Sequence, residues 1–371
     1  MLTAISLLLA GLQKARGIHA ADSSSDDEPS LKKVHEEEDE IGFIQTLLID
    51  PNPIASYESE YQSIEVFESS HFGKVFLLDD NLQLTERDAP HYNEMLAHVP
   101  MMEYLAAVQK NNPDGPDDDN VVSALVIGGG DGYVTSELLK YENVAIDHVD
   151  LDEGVIKVSK EHFSWSSAWE DDRVNLIIGD GAAFVREQVQ KKKRYDIIVQ
   201  DASDPFWLDT DGEQTILPSH VLYDKEHFAG IFELLKESNG VLCMQAETYN
   251  IPSNLNEIRK WKGRLERIGF TSVRYGTIAI PTYSTGQIGF FVAHASKKDG
   301  GENDIMVCKS SDNQVCSMDL SGNINWSVVS SQFDKLKGTT KYYHPRIHRS
   351  AFDLPVWVED AIYGVEVTSD K

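Results

Sequence analysis

Between residues 41 and 100 the apolar positions keep a period of two. Tyr61-Gln62-Ser63-Ile64-Glu65-Val66-Phe67 alternates, Gly73-Lys74-Val75-Phe76-Leu77-Leu78-Asp79 resumes after a turn, and Leu82-Gln83-Leu84-Thr85 adds a third short run. Such alternation predicts a small antiparallel β domain with one face of each strand on a core. Over 90–106 the period lengthens, and Met95, Leu96, Val99 and Met102 fall on one face of a predicted helix. The polar Pro/Gly/Asp-rich stretch 111–120 then breaks the pattern.

Beyond it the rhythm becomes strand, glycine turn, helix, strand. Predicted strands lie at 123–127, 145–149, 174–178, 195–199 and 240–245, with helices at 134–140 and 154–162. Continuous apolar strands alternating with helices predict an α/β fold built on a doubly wound parallel sheet. A hairpin-like pair near 272–278 and 287–293 would close that sheet. The expected organisation is therefore a β domain over 41–100, an α/β domain over 101–296, a polar insertion over 297–340, and a segment over 341–371 that packs back on the body. Residues 1–40 are set apart as a disordered or targeting segment with an acidic linker. The apolar run 2–12 is too short to span a bilayer, and 22–40 is poor in apolar residues.

Charge narrows the partners. Sixty-one acids against thirty-three bases leave a formal charge of −28, which repels nucleic acid and anionic membranes and attracts cations. Neither is expected as a partner. Three cysteines make no disulfide framework; Cys243 lies in an apolar run and reads as core, while Cys308 and Cys316 would pair only in an oxidising compartment. With no CxxC pair and no HExxH helix, no metal site is expected.

The chemistry gathers at strand ends. Gly128-Gly129-Gly130-Asp131-Gly132 directly follows the strand Ala124-Leu125-Val126-Ile127, where glycines let a ligand approach the backbone. Its spacing is neither a dinucleotide fingerprint nor a phosphate cradle. Asp150 closes the next predicted strand, where an acid can accept bonds from ribose hydroxyls. Asp180, in Gly179-Asp180-Gly181, and Asp201 close two more. A single aspartate there is ordinarily a cap or turn residue. An acidic rim would repel a phosphate-bearing cofactor and favour a cationic sulfonium nucleoside. In Asp201-Ala202-Ser203-Asp204-Pro205, one carboxylate can hold a protonated amine while the other takes its proton. An alkylammonium with a pKa of roughly 10 is no nucleophile until that happens.

These segments, with Ile280-Pro281-Thr282-Tyr283-Ser284-Thr285-Gly286-Gln287-Ile288-Gly289-Phe290, resemble the signature segments of the spermidine synthase family. Tyr61-Gln62, Thr85-Glu86-Arg87-Asp88, Tyr92-Asn93-Glu94-Met95, Lys341-Tyr342-Tyr343 and His348-Arg349-Ser350-Ala351-Phe352 match in order. The resemblance spans about 57–296 and 341–357. It implies a Rossmann-like, methyltransferase-type sheet and an aminopropyltransferase that moves the aminopropyl group of decarboxylated S-adenosylmethionine to putrescine. Gln62, Leu78, Gly128, Gly130, Asp131, Asp150, Asp180 and Gly181 would hold the donor, with Asp131 facing the amine of its arm. Tyr92, Asp204, Gln245 and Tyr283 would orient the diamine, and Asp201 would be the base. The donor is a co-substrate, so no cofactor is expected. The resemblance also implies a homodimer or homotetramer, and the expected compartment is the cytoplasm unless residues 1–40 carry a targeting signal.

Some residues depart from the family pattern. Ile41-Gly42-Phe43-Ile44-Gln45 lacks the tryptophan usual before the β hairpin, Asn93 replaces a glutamine, and the loop 206–221 is long. All three lie on the amine side. Another acceptor, giving spermine or thermospermine, is one alternative; an S-adenosylmethionine methyltransferase and a non-catalytic relative are the others. No G-x-S-x-G elbow supports a hydrolase. His91, His98 and His348 read as hydrogen-bonded structural residues.

Overall fold

A computed structural model describes residues 34–38, 44–111, 121–208, 214–296 and 324–364. Its central sheet is built from β7 (Val122–Gly128), β8 (Val144–Asp150), β9 (Val174–Ile178), β10 (Ile197–Asp201), β13 (Val241–Ala246), β14 (Thr271–Ala279) and β15 (Gln287–His294). The seven strands run in the order β14-β15-β13-β10-β7-β8-β9. Neighbours from β13 to β9 are parallel, and β15 pairs antiparallel with both β13 and β14. This is the expected Rossmann-like sheet closed by a late hairpin. Ala124, Leu125, Val126, Ile197, Ile198, Val199, Val241, Leu242 and Cys243 are all fully buried, because the side chains on each face enter a separate core.

Helix α1 (Ala89–Asn111) lies on one face, where Met95, Leu96, Val99 and Met102 are fully buried as their spacing predicts. Next come the short α2 (Tyr133–Leu138) and α3 (Glu153–His162). Three further helices, α4 (Gly181–Gln190), α5 (Lys225–Leu235) and α6 (Pro252–Ile268), are additional to the elements expected from pattern. In α6 only Ile258, Trp261 and Leu265 are buried, so a narrow apolar stripe on a highly charged helix carries the packing.

Ahead of the sheet, β3 (Ala55–Glu58), β4 (Ser63–Ser69), β5 (Gly73–Leu78) and β6 (Asn81–Thr85) form a four-stranded antiparallel sheet in sequence order. The strand β1 (Val34–Glu38) lies inside the stretch expected to be disordered. It pairs antiparallel with β2 (Ile44–Leu48), whose backbone supplies the ladder that its charged sequence gives no sign of. The long loop after Pro205 contains the small hairpin β11 (Phe206–Leu208) and β12 (Gln214–Ile216), then a 3-10 turn at Pro218–Tyr223.

The expected polar insertion ends in a helix, α7 (Trp326–Leu336); 297–323, with Cys308 and Cys316, lies outside the described residues. The C-terminal stretch forms α8 (Pro345–Ser350) and α9 (Val356–Tyr363). It is tied to α1 through Glu94, whose carboxylate accepts the backbone N–H groups of Lys341, Tyr342 and Tyr343 at 2.6–2.8 Å. The histidines serve the scaffold as expected: His98 bridges Glu137 and Tyr141, His91 meets the Ala279 carbonyl, and His348 meets Tyr343 and Glu103.

Candidate active site

Strands β7, β8, β9 and β10 are adjacent and parallel, so their C-terminal ends form one rim. Gly128 stands beside Asp201 in register, and Asp150 beside Ile178. The glycine loop is tightly bracketed. A Cβ on Gly128 (φ +78°) would meet the Asp201 carbonyl at 2.1 Å, and one on Gly129 would meet the Asp201 carboxylate at 2.8 Å. On the other side, a Cβ on Gly130 would lie 2.9 Å from the Asp150 carboxylate. Only a backbone without Cβ atoms fits between those two acids, and at Gly128 and Gly129 it is left-handed as well.

Asp131, Asp150 and Asp201 share this cleft, and their electrostatics say so. Burial pushes the Asp131 carboxyl up to about 8, with the Asp201 charge adding to it and a hydrogen bond from the Tyr133 N–H opposing it. Burial raises Asp150 to about 6, partly offset by the Asp152 N–H it accepts at 2.9 Å. Asp201 also rises to about 6 by burial, against the Tyr92 hydroxyl that donates to its Oδ1 at 2.8 Å. Burial is the largest cause for all three; repulsion from Asp201 adds to it at Asp131 and, more weakly, at Asp150.

Asp180 is on the same rim but turned differently. Its exposed carboxylate caps α4, accepting from the Ala182 and Ala183 N–H groups at 2.7 and 3.1 Å. Gly181 opens that helix, with no room for a Cβ against Ile127. Leu78 is half-buried at the end of β5, opposite Ile64. Gln62 donates to Asp152 Oδ2 at 3.0 Å, so the β domain reaches the turn after β8.

Beyond Asp201, Gln245 Nε2 donates to Asp204 Oδ1 at 2.9 Å, and its carbonyl oxygen accepts from Tyr223 at 2.9 Å. The Tyr283 hydroxyl donates to the Gln83 carbonyl at 2.5 Å. Asp204 is exposed where Asp201 is half-buried, so the two acids of the motif sit in different media.

Several supporting residues escaped the sequence reading. Buried Asp152 caps α3 and also accepts the Ser59 hydroxyl at 2.7 Å. His148, fully buried on β8, receives hydroxyl and indole donors from Thr135 and Trp169 at Nδ1. That leaves Nε2–H to donate to the Gly128 carbonyl at 2.8 Å, bracing the glycine loop. Burial holds this imidazole down to about 4, so it stays neutral. Ser166 donates to the Asp131 carbonyl at 2.6 Å. An Asp two residues past a strand and before an apolar helix is a cap signal that could have flagged Asp152; the others depend on distant partners. Among the described residues no group of acids, histidines and cysteines has the arrangement of a metal site.

Residues 89–300 match the spermine/spermidine synthase domain, and residues 56–86 match the spermidine synthase tetramerisation domain. The chain belongs to the spermidine synthase family. It is 34% identical over 315 residues to spermidine synthase 2 of Arabidopsis thaliana, a match covering 82% of this chain and 76% of that one. It is also 31% identical over 308 residues to putrescine N-methyltransferase 1 of Nicotiana tabacum, covering 82% and 70%. A crystal structure of spermidine synthase from Thermotoga maritima superposes with a TM-score of 0.68 at 25% identity, covering 92% of this chain and 98% of that one. A spermidine synthase bound to the transition state analogue AdoDATO gives 0.69 at the same identity. This family member is thus an enzyme of the aminopropyltransferase type. Among the described residues, no helix is long and apolar enough to cross a membrane.

Proposed function

We propose that this enzyme transfers the aminopropyl group of decarboxylated S-adenosylmethionine to putrescine, giving spermidine and methylthioadenosine. The observation that carries the reading is the convergence of Asp131, Asp150 and Asp201 on one glycine loop, each raised by burial and the first two also by the Asp201 charge. Such a cleft is incomplete without cations, and both proposed reactants are cations.

In this reading Asp150 accepts the ribose hydroxyls, and Gln62, Leu78, Gly128, Gly130, Asp180 and Gly181 complete the donor site. Asp131 faces the ammonium of the donor's arm. Tyr92, Asp204, Gln245 and Tyr283 orient the diamine. Asp201, raised to about 6, removes a proton from the attacking ammonium. The freed nitrogen lone pair attacks the methylene beside the sulfonium in line; the C–N bond forms as the C–S bond breaks, and its electron pair stays on sulfur. The sulfonium is already activated, so placement and the acidic field supply most of the acceleration.

The tobacco relative's name favours a second reading, methyl transfer from S-adenosylmethionine to a diamine. Both donors carry an ammonium, and they differ at Asp131 by the carboxylate that only S-adenosylmethionine would bring there. An ammonium at that carboxyl draws its proton off, whereas the donor's own carboxylate would require the acid to stay neutral. The test is incubation with either donor and a panel of diamines and triamines, with products identified by mass. Spermidine from putrescine and the decarboxylated donor is the expected result; N-methylputrescine from S-adenosylmethionine would overturn it. The tetramerisation-domain segment supports a homodimer or homotetramer, which mass measurement in solution would separate. A cytoplasmic location belongs to the same reading and is checked by cell fractionation.

A further inference from the structure

The segment that carries Tyr283 is gripped by an acid that touches neither proposed reactant. Asp88 is 3% exposed and immediately precedes α1. Its Oδ2 accepts both the backbone N–H of Thr282 at 3.1 Å and the Thr282 hydroxyl at 2.7 Å. Its Oδ1 accepts the Thr85 hydroxyl at 2.5 Å, which fixes the carboxylate plane. Thr282 itself is 1% exposed, and its carbonyl accepts Gln45 Nε2 at 2.8 Å. The next residue is Tyr283, whose hydroxyl is anchored on Gln83.

The same helix holds the opposite wall. Tyr92 lies one turn beyond Asp88 on α1 and donates to Asp201. The first turn of α1 therefore carries the phenol that touches Asp201, and the residue just before it clamps the segment of the second phenol. Asp88 stands just before the helix and Tyr92 in its first turn, so the start of one helix spaces the two side chains.

We propose that Asp88 is a positioning residue for the amine acceptor, holding Thr282 so that Tyr283 stands opposite Tyr92 across Asp201. It acts on the acceptor wall alone, since Asp131, Asp150 and Gln62 hang from other elements. This rests on the amine-acceptor reading of the site.

Asp88→Asn keeps the side chain's shape but weakens a charge-assisted acceptor and can turn an amide N–H toward the Thr282 N–H. Hydrogen bonds to a charged group are worth enough that losing one shifts an equilibrium about tenfold or more. The expected result is a rise of about that size in KM for putrescine, with affinity for methylthioadenosine, measured by calorimetry, within about twofold of wild type. Thr282→Val, which removes only the hydroxyl bond, should give a smaller rise, and Thr282→Ser should restore the wild-type value. This serine-for-valine contrast stays readable if the Asp88 variant folds poorly. An unchanged putrescine KM in both Asp88→Asn and Thr282→Val, or an equal loss of nucleoside affinity, overturns the proposal. A wild-type enzyme that transfers nothing to any diamine overturns the acceptor reading, and this proposal with it.

Discussion

Two sets of buried acids in this molecule have opposite fates. Glu103 on α1 is wholly buried, yet its carboxyl is held well below the usual range. Burial works against it, but Arg274 forms an ion pair with it, and His294 and His348 bond it at 2.7 and 3.0 Å. The cleft acids Asp131, Asp150 and Asp201 are less buried and still rise, to about 8, 6 and 6. The difference is the countercharge. The Glu103 cluster brings its own cation, Arg274 on β14, and imidazole partners from β15 and α8, and so joins the C-terminal segment to the sheet. No cation is among the groups that act on the three cleft acids, so burial goes uncompensated and raises each of them.

Replacing one member of each set should separate the roles. Asp201→Asn keeps the shape and removes the proposed base, so turnover should fall about 10²–10⁴-fold. Nucleoside affinity should stay near wild type in calorimetry; a variant with near-normal rates would mean the base is elsewhere. Glu103→Gln leaves the Arg274 guanidinium buried beside a neutral amide. Breaking one side of a buried pair typically costs about 3–5 kcal/mol, read as a lower denaturant midpoint. Catalysis by the fraction that remains folded should be near normal. Equal losses of rate in both variants would erase the contrast.

Acidity offers a third comparison. A carboxyl raised on folding contributes stability below its unfolded pKa of roughly 4 and loses it as pH climbs through its folded value. The three cleft acids should therefore make the ligand-free enzyme progressively less stable from about pH 4 through about 6 to about 8. Glu103, depressed on folding, behaves in the opposite sense: its contribution is present above about pH 4.5 and fades only in stronger acid. Thermal melts between pH 5 and 9 should show the first trend alone, and a bound cationic nucleoside should flatten it. Binding near pH 7 should release protons, seen as a buffer-dependent calorimetric heat. A pH-independent melting curve for the empty enzyme would show that the cleft acids are not raised on folding.

Local pattern made one half of this picture legible. The glycine loop and the acids at strand ends are short motifs tied to strand–helix junctions, so their residues announce their place in the fold. The Glu103–Arg274 pair spans residues of two distant elements, and neither Arg274 in a strand nor Glu103 in a helix looks unusual alone. His148, Thr135 and Trp169 converge on the glycine loop in the same hidden way. The strand Val34–Glu38 was illegible for a related reason: its pairing with Ile44–Leu48, not its composition, gives it order. Tyr223 escaped notice because the 3-10 turn that ends with it, Pro218–Tyr223, has no periodicity to read.

Asp180 sits between the two sets, and the smallest expected effect belongs to it. The residue lies on the rim at the end of β9, but its exposed carboxylate is occupied by the first turn of α4. An asparagine caps a helix about as well as an aspartate, whereas alanine forfeits roughly 1 kcal/mol. Asp180→Ala should therefore lower stability by about that amount, and Asp180→Asn should leave it unchanged. Donor affinity then decides what else the carboxylate does. A cap alone predicts that Asp180→Asn binds the nucleoside like wild type. A cap that also accepts a hydrogen bond from the donor predicts a loss of a fewfold without any loss of stability, because a charged acceptor is stronger than an amide oxygen. The second outcome would place Asp180 with the cleft acids; the first would place it with Glu103, as an acid whose partners the protein already supplies.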